Sequence, residues 1–121
     1  MARVLIVDDS PTEAHILTGI LEKNGHQVIT APDGESGIAS AKANMPDLIL
    51  MDVVMPGLNG FQATRQLKKD SSTSAIPIII VSTKSQATDR VWGMRQGAND
   101  YITKPVDEAA LVESMNNILG S

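Results

Sequence analysis

The sequence has no cysteine, and its aromatic side chains are limited to one Trp, one Tyr and one Phe in 121 residues. The lack of cysteine excludes a disulfide framework, a thiolate metal site and a thiol nucleophile. Long apolar runs are also missing, since the run before Asp8 and Asp9 covers only residues 4–7, too short for a signal-peptide core or a membrane span. We therefore expect a protein that is neither exported nor inserted into a membrane, and the reducing cytoplasm is its simplest location.

Basic residues are fewer than acidic ones. Ten Lys and Arg face fourteen Asp and Glu, which gives a formal net charge of −4 and argues against a nucleic-acid partner. Apolar residues make up 42% and charged residues 20% of the chain, close to the average of globular proteins. A chain of this length closes one hydrophobic core, so residues 1–121 are predicted to form a single domain.

Short, continuous apolar runs predict the strands. Three are strong, at residues 4–7, 48–51 and 78–81, while residues 28–29 and 101–102 form weaker ones. Continuous rather than alternating runs are typical of strands buried on both faces, as in a parallel sheet covered by helices.

Segments with helical periodicity lie between and after these runs. Their apolar stripes are Ala14, Leu17, Ile20 and Leu21; Gly37, Ile38, Ala41 and Met45; Phe61, Thr64 and Leu67; Val91, Met94 and Ala98; and Leu111, Met115, Ile118 and Leu119. Ser10 with Pro11 predicts a helix start, Asn24-Gly25 and Gln96-Gly97 predict helix ends, and Asn59-Gly60 predicts a turn into a helix. The order is a strand followed by a helix, five times, which predicts an α/β fold with helices on both faces of a parallel sheet.

Polar residues that could bind a metal ion or take part in a reaction follow the predicted strands. They are Asp8, Asp9, Asp52, Ser82, Thr83 and Lys104. Singly, each is explained by loop solvation, a helix cap or a surface lysine. Because the carboxyl ends of parallel strands meet at one edge of the sheet, where ligands bind, together they predict a shared pocket.

Three carboxylates in one pocket repel each other unless a cation is present. Hard oxygen ligands with room for water suit Mg²⁺, which takes few protein carboxylates. Lys104 adds a second positive centre and Ser82 a hydroxyl donor, so the pocket is suited to a phosphoryl group.

Four segments resemble the signatures of response-regulator receiver domains: residues 4–10 (VLIVDDS), 50–60 (LMDVVMPGLNG), 81–83 (VST) and 101–105 (YITKP). The resemblance covers the whole chain and is greatest to the stand-alone, CheY-like type, while residues 52–66 resemble regulators of twitching motility. It implies a flavodoxin-like, doubly wound sheet of five parallel strands in the order 2-1-3-4-5, with five helices on two faces.

The same resemblance implies a role for each matching residue. Asp52 would be the phosphoacceptor, and Mg²⁺ would be held by Asp8, Asp9, Asp52 and the backbone carbonyl of Val54. Lys104 would contact the phosphoryl oxygens, Ser82 would be the switch hydroxyl, and Tyr101 would be the aromatic switch, moving inward after phosphorylation. A cis peptide between Lys104 and Pro105 is also implied.

Two positions depart from the family pattern. Val54 stands where a polar residue is usual, and Lys84 where an acidic or polar residue is common. Both flank the path of an attacking water molecule, so they are the predicted modulators of phosphoryl lifetime.

The implied function is that of a single-domain response regulator in a chemotaxis-like phosphorelay. A CheA-like sensor histidine kinase would donate the phosphoryl group to a monomeric acceptor that assists its own phosphorylation and dephosphorylation without being an enzyme. Output would come from binding a pilus or motor-associated target through helix four, strand five and helix five, or from draining phosphoryl groups from a shared kinase. The twitching-motility resemblance favours drainage.

Three alternatives remain. An aspartyl-phosphate phosphohydrolase would usually have a second Asp where Val54 stands, and a flavodoxin-like cofactor carrier would need a phosphate loop after the first strand. The third is a receiver cut from a larger response regulator or hybrid kinase, although residues 119–121 are more typical of a helix end than of a linker. His15 and His26 are interpreted as surface or packing residues, and Trp92 as partly exposed.

Overall fold

The computed structural model describes residues 1–120, so Ser121, the last residue of the predicted domain and helix end, lies outside the described residues. Strands and helices alternate along the whole chain. Their bounds are β1 (Arg3–Val7), α1 (Pro11–Lys23), β2 (Gln27–Ala31), α2 (Gly34–Asn44), β3 (Leu48–Met51), α3 (Gly60–Lys69), β4 (Ile78–Ser82), α4 (Ala87–Arg95), β5 (Asp100–Thr103) and α5 (Glu108–Leu119). Within residues 1–120, no helix is both long enough and apolar enough to cross a membrane.

The five strands form one parallel sheet in the order β2-β1-β3-β4-β5, which confirms the predicted topology. Every residue of β3 and β4 is buried, as the continuous apolar runs predicted. The chain starts in the middle of the sheet, moves to β2 at one edge, and returns past β1 to build the other half. The reversal of strand order therefore lies between β1 and β3, and ligands bind at such a point.

The two faces of the sheet bury separate cores. On one face, β-strand residues pack against Leu17 and Leu21 of α1 and Leu111 and Met115 of α5. On the opposite face, the alternate strand residues pack against α2 and α3, with Ala41, Ala63 and Leu67 buried. The alternation of side chains along each strand thus supports helices on both faces.

Side-chain caps fix the helices that begin beside the carboxyl edge of the sheet. The Ser10 hydroxyl accepts a hydrogen bond from the Glu13 N–H at 3.3 Å, and Pro11 occupies the first turn of α1. Asn59 and Gln62 form a reciprocal capping box at the start of α3, each side chain accepting from the other's backbone N–H at 2.9 Å. These caps confirm the predicted helix starts at Pro11 and after Asn59.

The predicted apolar stripe of α4 is wrong. Val91 and Met94 are exposed, and Ala98 lies beyond Arg95, where the helix ends. The reason is that α4 approaches the sheet through Gly93, whose missing side chain leaves room for Ile80 and Tyr101. Its outer face is therefore apolar and open to solvent.

Met45 also departs from the predicted stripe of α2. It follows the helix as a cap in the left-handed region, with φ of 45°, and is half exposed. Pro46 comes next in the chain, and a residue before proline is disfavoured in the right-handed helical region. The helix therefore ends at Asn44, one residue short of the apolar pattern.

Candidate phosphoacceptor site

The predicted polar residues meet at the carboxyl edge of the sheet. Asp8 and Asp9 directly follow β1, and Asp52 directly follows β3, the neighbouring strand. The Asp52 N–H donates to the Val7 carbonyl at 2.9 Å, so β1 fixes the backbone of Asp52. This is the point of strand reversal, as the sequence predicted.

Three carboxylates cluster in this pocket. Asp8, Asp9 and Asp52 each offer an oxygen atom, and these atoms all lie within 4.8 Å of one another. Asp8 and Asp52 are buried, whereas Asp9 is exposed at the mouth. Such a cluster of hard oxygen donors, open on one side, matches the ligand preference of a divalent cation that keeps several waters.

Lys104 supplies the positive charge in the pocket. Its Nζ lies 2.8 Å from Asp8 Oδ2 and 3.5 Å from Asp52 Oδ1, with only 7% of the side chain exposed. Burial opposes the charged form, but the hydrogen bond to Asp8 and the charges of both carboxylates outweigh it and raise the pKa of Lys104. The Lys104–Pro105 peptide is cis, as the family resemblance implied.

Asp52 is held in an environment that disfavours its charged form. Burial, followed by repulsion from Asp8, raises the pKa of Asp52 to about 6, and Lys104 offsets this only in part. One lysine therefore does not neutralise the pocket, and a further cation would favour ionised Asp52.

The metal-free protein should lose stability as the pH rises from about 4 to about 7. Folded Asp52 binds a proton up to about pH 6, whereas the unfolded carboxyl releases it near its ordinary pKa, so the free energy of unfolding falls over that interval. We expect a loss of about 1–2 kcal/mol, the full shift being reduced by solvent at the pocket mouth. Urea denaturation in the presence of a chelator measures it, and D52N should remove this component. An unchanged pH profile in D52N would contradict the assignment.

Ser82 and Tyr101 are joined through the loop that follows β4. The Lys84 N–H donates to the buried Ser82 Oγ at 3.1 Å, and the Tyr101 hydroxyl donates to the Lys84 carbonyl at 2.6 Å. Tyr101 is only 3% exposed and packs over Gly93. The aromatic ring is therefore already inward, whereas the sequence interpretation placed its inward movement after phosphorylation.

Several predicted residues lie elsewhere or face outward. Val54 is 58% exposed, and Thr83 and Lys84 are exposed as well. His15 is exposed on α1, while His26 accepts a hydrogen bond from the Ala2 N–H at 3.0 Å on the opposite edge of the sheet. Neither histidine belongs to the pocket, as predicted.

Sequence reasoning missed the role of Gly60 in the site. A Cβ atom at this position would lie 1.9 Å from the carbonyl oxygen of Asp52, and the Gly60 N–H donates to the Val53 carbonyl at 2.9 Å. The Asn59-Gly60 pair was interpreted only as a turn signal. The one available signal was the position of Gly60, which begins α3 and follows the segment that contains Asp52.

Comparison with known proteins agrees with this geometry. The model of the response regulator receiver domain family matches residues 4–116. The chain therefore belongs to this family, as the four sequence signatures predicted.

One curated relative matches almost end to end. The chain is 66% identical over 119 residues to Protein PilH of Pseudomonas aeruginosa, covering 98% of this chain and 98% of that protein. The resemblance noted for residues 52–66 thus extends along the full domain.

Solved structures confirm the fold. Chemotaxis protein CheY4 of Vibrio cholerae superposes with a TM-score of 0.91 at 30% identity, covering 98% of this chain and 99% of that one. The receiver domain of sensor histidine kinase PA1611 from Pseudomonas aeruginosa gives a TM-score of 0.91 at 31% identity, covering 99% and 98%. That structure is described as having a magnesium ion coordinated in its active site cleft.

Proposed function

We propose that this chain accepts a phosphoryl group from a sensor histidine kinase on Asp52, as a stand-alone response regulator. The observation that carries the proposal is the placement of a buried carboxylate with a raised pKa between two further carboxylates and the buried Lys104 ammonium. The family match and the end-to-end similarity to PilH support the same function.

In the proposed reaction, a carboxylate oxygen of Asp52 attacks the phosphorus atom of a kinase phosphohistidine. The N–P bond breaks while the O–P bond forms, leaving an acyl phosphate on Asp52 and a neutral histidine on the kinase after proton uptake. The protein's contribution is positioning and charge stabilisation. Lys104, close to both Asp8 and Asp52, donates a hydrogen bond to an equatorial phosphoryl oxygen.

The donor set fits Mg²⁺, and the proposed ligands are Asp8, Asp9, Asp52 and the backbone carbonyl of Val54. The bound ion would neutralise charge on the phosphoryl oxygens. Asp8 has a second task, because it also holds Lys104 at 2.8 Å. Lys104 is thereby kept within the pocket when Asp52 changes charge.

Ser82 is the proposed sensor of the new group. Its Oγ accepts from the Lys84 N–H, which leaves the hydroxyl proton available to a phosphoryl oxygen. A shift of Ser82 toward that oxygen would pull on Lys84, whose carbonyl holds the Tyr101 hydroxyl. A local charge is thus transmitted to α4 and β5.

The cellular setting is proposed from sequence similarity. The resemblance to twitching-motility regulators, together with 66% identity to PilH, supports a role in a chemotaxis-like system acting on pili, in the cytoplasm. A CheA-like kinase is the proposed donor. The output is target binding or removal of phosphoryl groups from that kinase, and Val54 and Lys84 remain the proposed modulators of the hydrolysis rate.

Chemical identification of the phosphorylated residue tests this function. After incubation with a phosphorylated histidine kinase and Mg²⁺, the intact protein should gain one phosphoryl group. The group should be released by hydroxylamine, which cleaves acyl phosphates, and peptide mapping should place it on Asp52. Omission of Mg²⁺ should suppress labelling, and a hydroxylamine-stable label on another residue would refute the proposal.

A second candidate is a receiver that works inside a larger protein. It is favoured by the similarity to a receiver domain that belongs to a sensor histidine kinase. Determination of the length of the natural gene product by mass spectrometry distinguishes the two candidates, since both predict the same phosphorylation of Asp52.

A further inference from the structure

Positive charge is concentrated in one segment of this acidic chain. Residues 60–99 contain six Lys and Arg but only two Asp and no Glu, a formal charge of +4, whereas the whole chain carries −4. The segment comprises α3, β4 and α4. Because β4 is buried and has no charged residue, the charges of residues 60–99 are carried by α3, α4 and the loops beside them.

A groove of about 390 Å³ opens between the loop after β3 with the start of α3 on one side, and Lys84 with Trp92 of α4 on the other. Its lining is mainly apolar, with Val54 and Phe61 on one side and Trp92 on the other, and Lys84 lies among them. Val54 and Trp92 are 58% and 49% exposed. Apolar surface of this kind, rimmed by polar residues, typically marks an interaction site.

Trp92 also lines a second, smaller groove of about 340 Å³. The second groove is lined by Val91, Trp92 and Arg95, and Val91 is also about half exposed. Together the two grooves form the α3–α4 surface, defined by Val54, Phe61, Lys84, Val91, Trp92 and Arg95. It shares α4 with the face of α4, β5 and α5 that the family resemblance implies for output, but it extends toward α3 rather than toward β5 and α5.

The cations at the edge of the α3–α4 surface are available to a partner. Among residues 1–120, Arg65 and Arg95 form no ion pair, and Lys84 reaches only Asp89, at 4.0 Å. Arg65 lies one helical turn after Phe61 and so on the same side of α3. The apolar centre is therefore flanked by unneutralised positive charge.

We propose that the α3–α4 surface is a docking site for an acidic amphipathic helix of a partner protein. The apolar side chains of such a helix would cover Trp92 and enter the groove beside Val54, while its carboxylates would face Lys84, Arg65 and Arg95. Nucleic acid fits less well, because phosphates would leave the apolar centre exposed. This interaction goes beyond the proposed phosphorylation and does not require it.

Binding of a synthetic peptide tests the proposal. The probe is a helical peptide of about 18 residues with leucines on one face and glutamates on the other, and the comparison peptide carries lysines in place of the glutamates. Titration of the ¹⁵N-labelled full chain should shift the resonances of Val54, Phe61 and the Trp92 indole N–H. The glutamate peptide should bind at least about tenfold more tightly than the lysine peptide, a difference of about 1.4 kcal/mol.

Charge reversal provides the matched variants. The double substitution K84E and R95E should weaken binding of the glutamate peptide about tenfold or more. As a control, K23E at an exposed position of α1 should change the affinity for this peptide less than about twofold. Thermal unfolding checks that the variants remain folded. The proposal is overturned by equal affinity for both peptides, by shifts centred on Ser114 of α5, by equal binding of a single-stranded oligonucleotide, or by no binding at about 1 mM peptide.

Discussion

Replacement of Asp52 by asparagine should abolish phosphoryl acceptance and, at the same time, stabilise the metal-free protein. The amide cannot form an acyl phosphate, so labelling by a phosphorylated kinase should fall at least about 100-fold, to background. Stability should rise by about 1–2 kcal/mol at neutral pH, because the buried charge and its repulsion from Asp8 are removed. Phosphotransfer and urea denaturation in a chelator measure the two effects.

A matched aspartate at the opposite edge of the sheet is the control for this prediction. Asp47 is exposed, and its carboxylate accepts a hydrogen bond from the Arg3 N–H at 2.8 Å, far along the strands from the pocket. D47N should therefore leave labelling unchanged and slightly reduce stability. Persistent labelling of D52N would identify a different phosphoacceptor, and a loss of stability in D52N would mean that the raised pKa of Asp52 is wrong.

Much of the fold could be predicted because the strands are buried on both faces. The runs at residues 4–7, 48–51 and 78–81 are continuous for that reason, and all three became central strands. The edge strand β2 gave a weaker signal, since its outer residues are partly exposed. Burial on both faces therefore explains which strands the pattern showed most clearly.

The position of α4 could not be predicted from hydrophobic periodicity. Its contact with the sheet is made by Gly93, which contributes no apolar side chain, so the apparent stripe consisted of exposed residues. An apolar pattern reports burial only when the buried face carries apolar side chains. Two exposed apolar residues of α4, Val91 and Trp92, belong to the proposed α3–α4 surface.

The sequence predicted which residues form the site, but not which hydrogen bonds and ion pairs they make with each other. Residues at strand ends converge whenever the sheet is parallel, and this alone placed Asp8, Asp52 and Lys104 together. The preference of Lys104 for Asp8 and the hydrogen bond from Tyr101 to Lys84 depend on side-chain rotamers and loop geometry. Those features arise from tertiary packing, which the sequence pattern does not encode.

The backbone of Asp52 is confined from two sides, and Gly60 forms one of them. The Asp52 N–H is bonded to β1, while the first residue of α3 lies against the Asp52 carbonyl oxygen. A Cβ atom 1.9 Å from that oxygen cannot be relieved by rotating a side chain, because the obstructing atoms belong to the backbone. Either α3 or the segment that contains Asp52 must move.

G60A should therefore destabilise the protein by about 3 kcal/mol or more and also impair phosphorylation of the molecules that remain folded. The matched control is G19A in α1, where a Cβ atom would meet nothing within 4 Å. This exposed helical position should gain about 0.5–1 kcal/mol, because alanine favours the helix. Urea denaturation measures both changes, and initial rates of phosphotransfer, at a temperature where all variants are folded, measure displacement of Asp52. If G60A matched G19A in stability and in rate, the close approach of α3 to Asp52 would have no role in building the site.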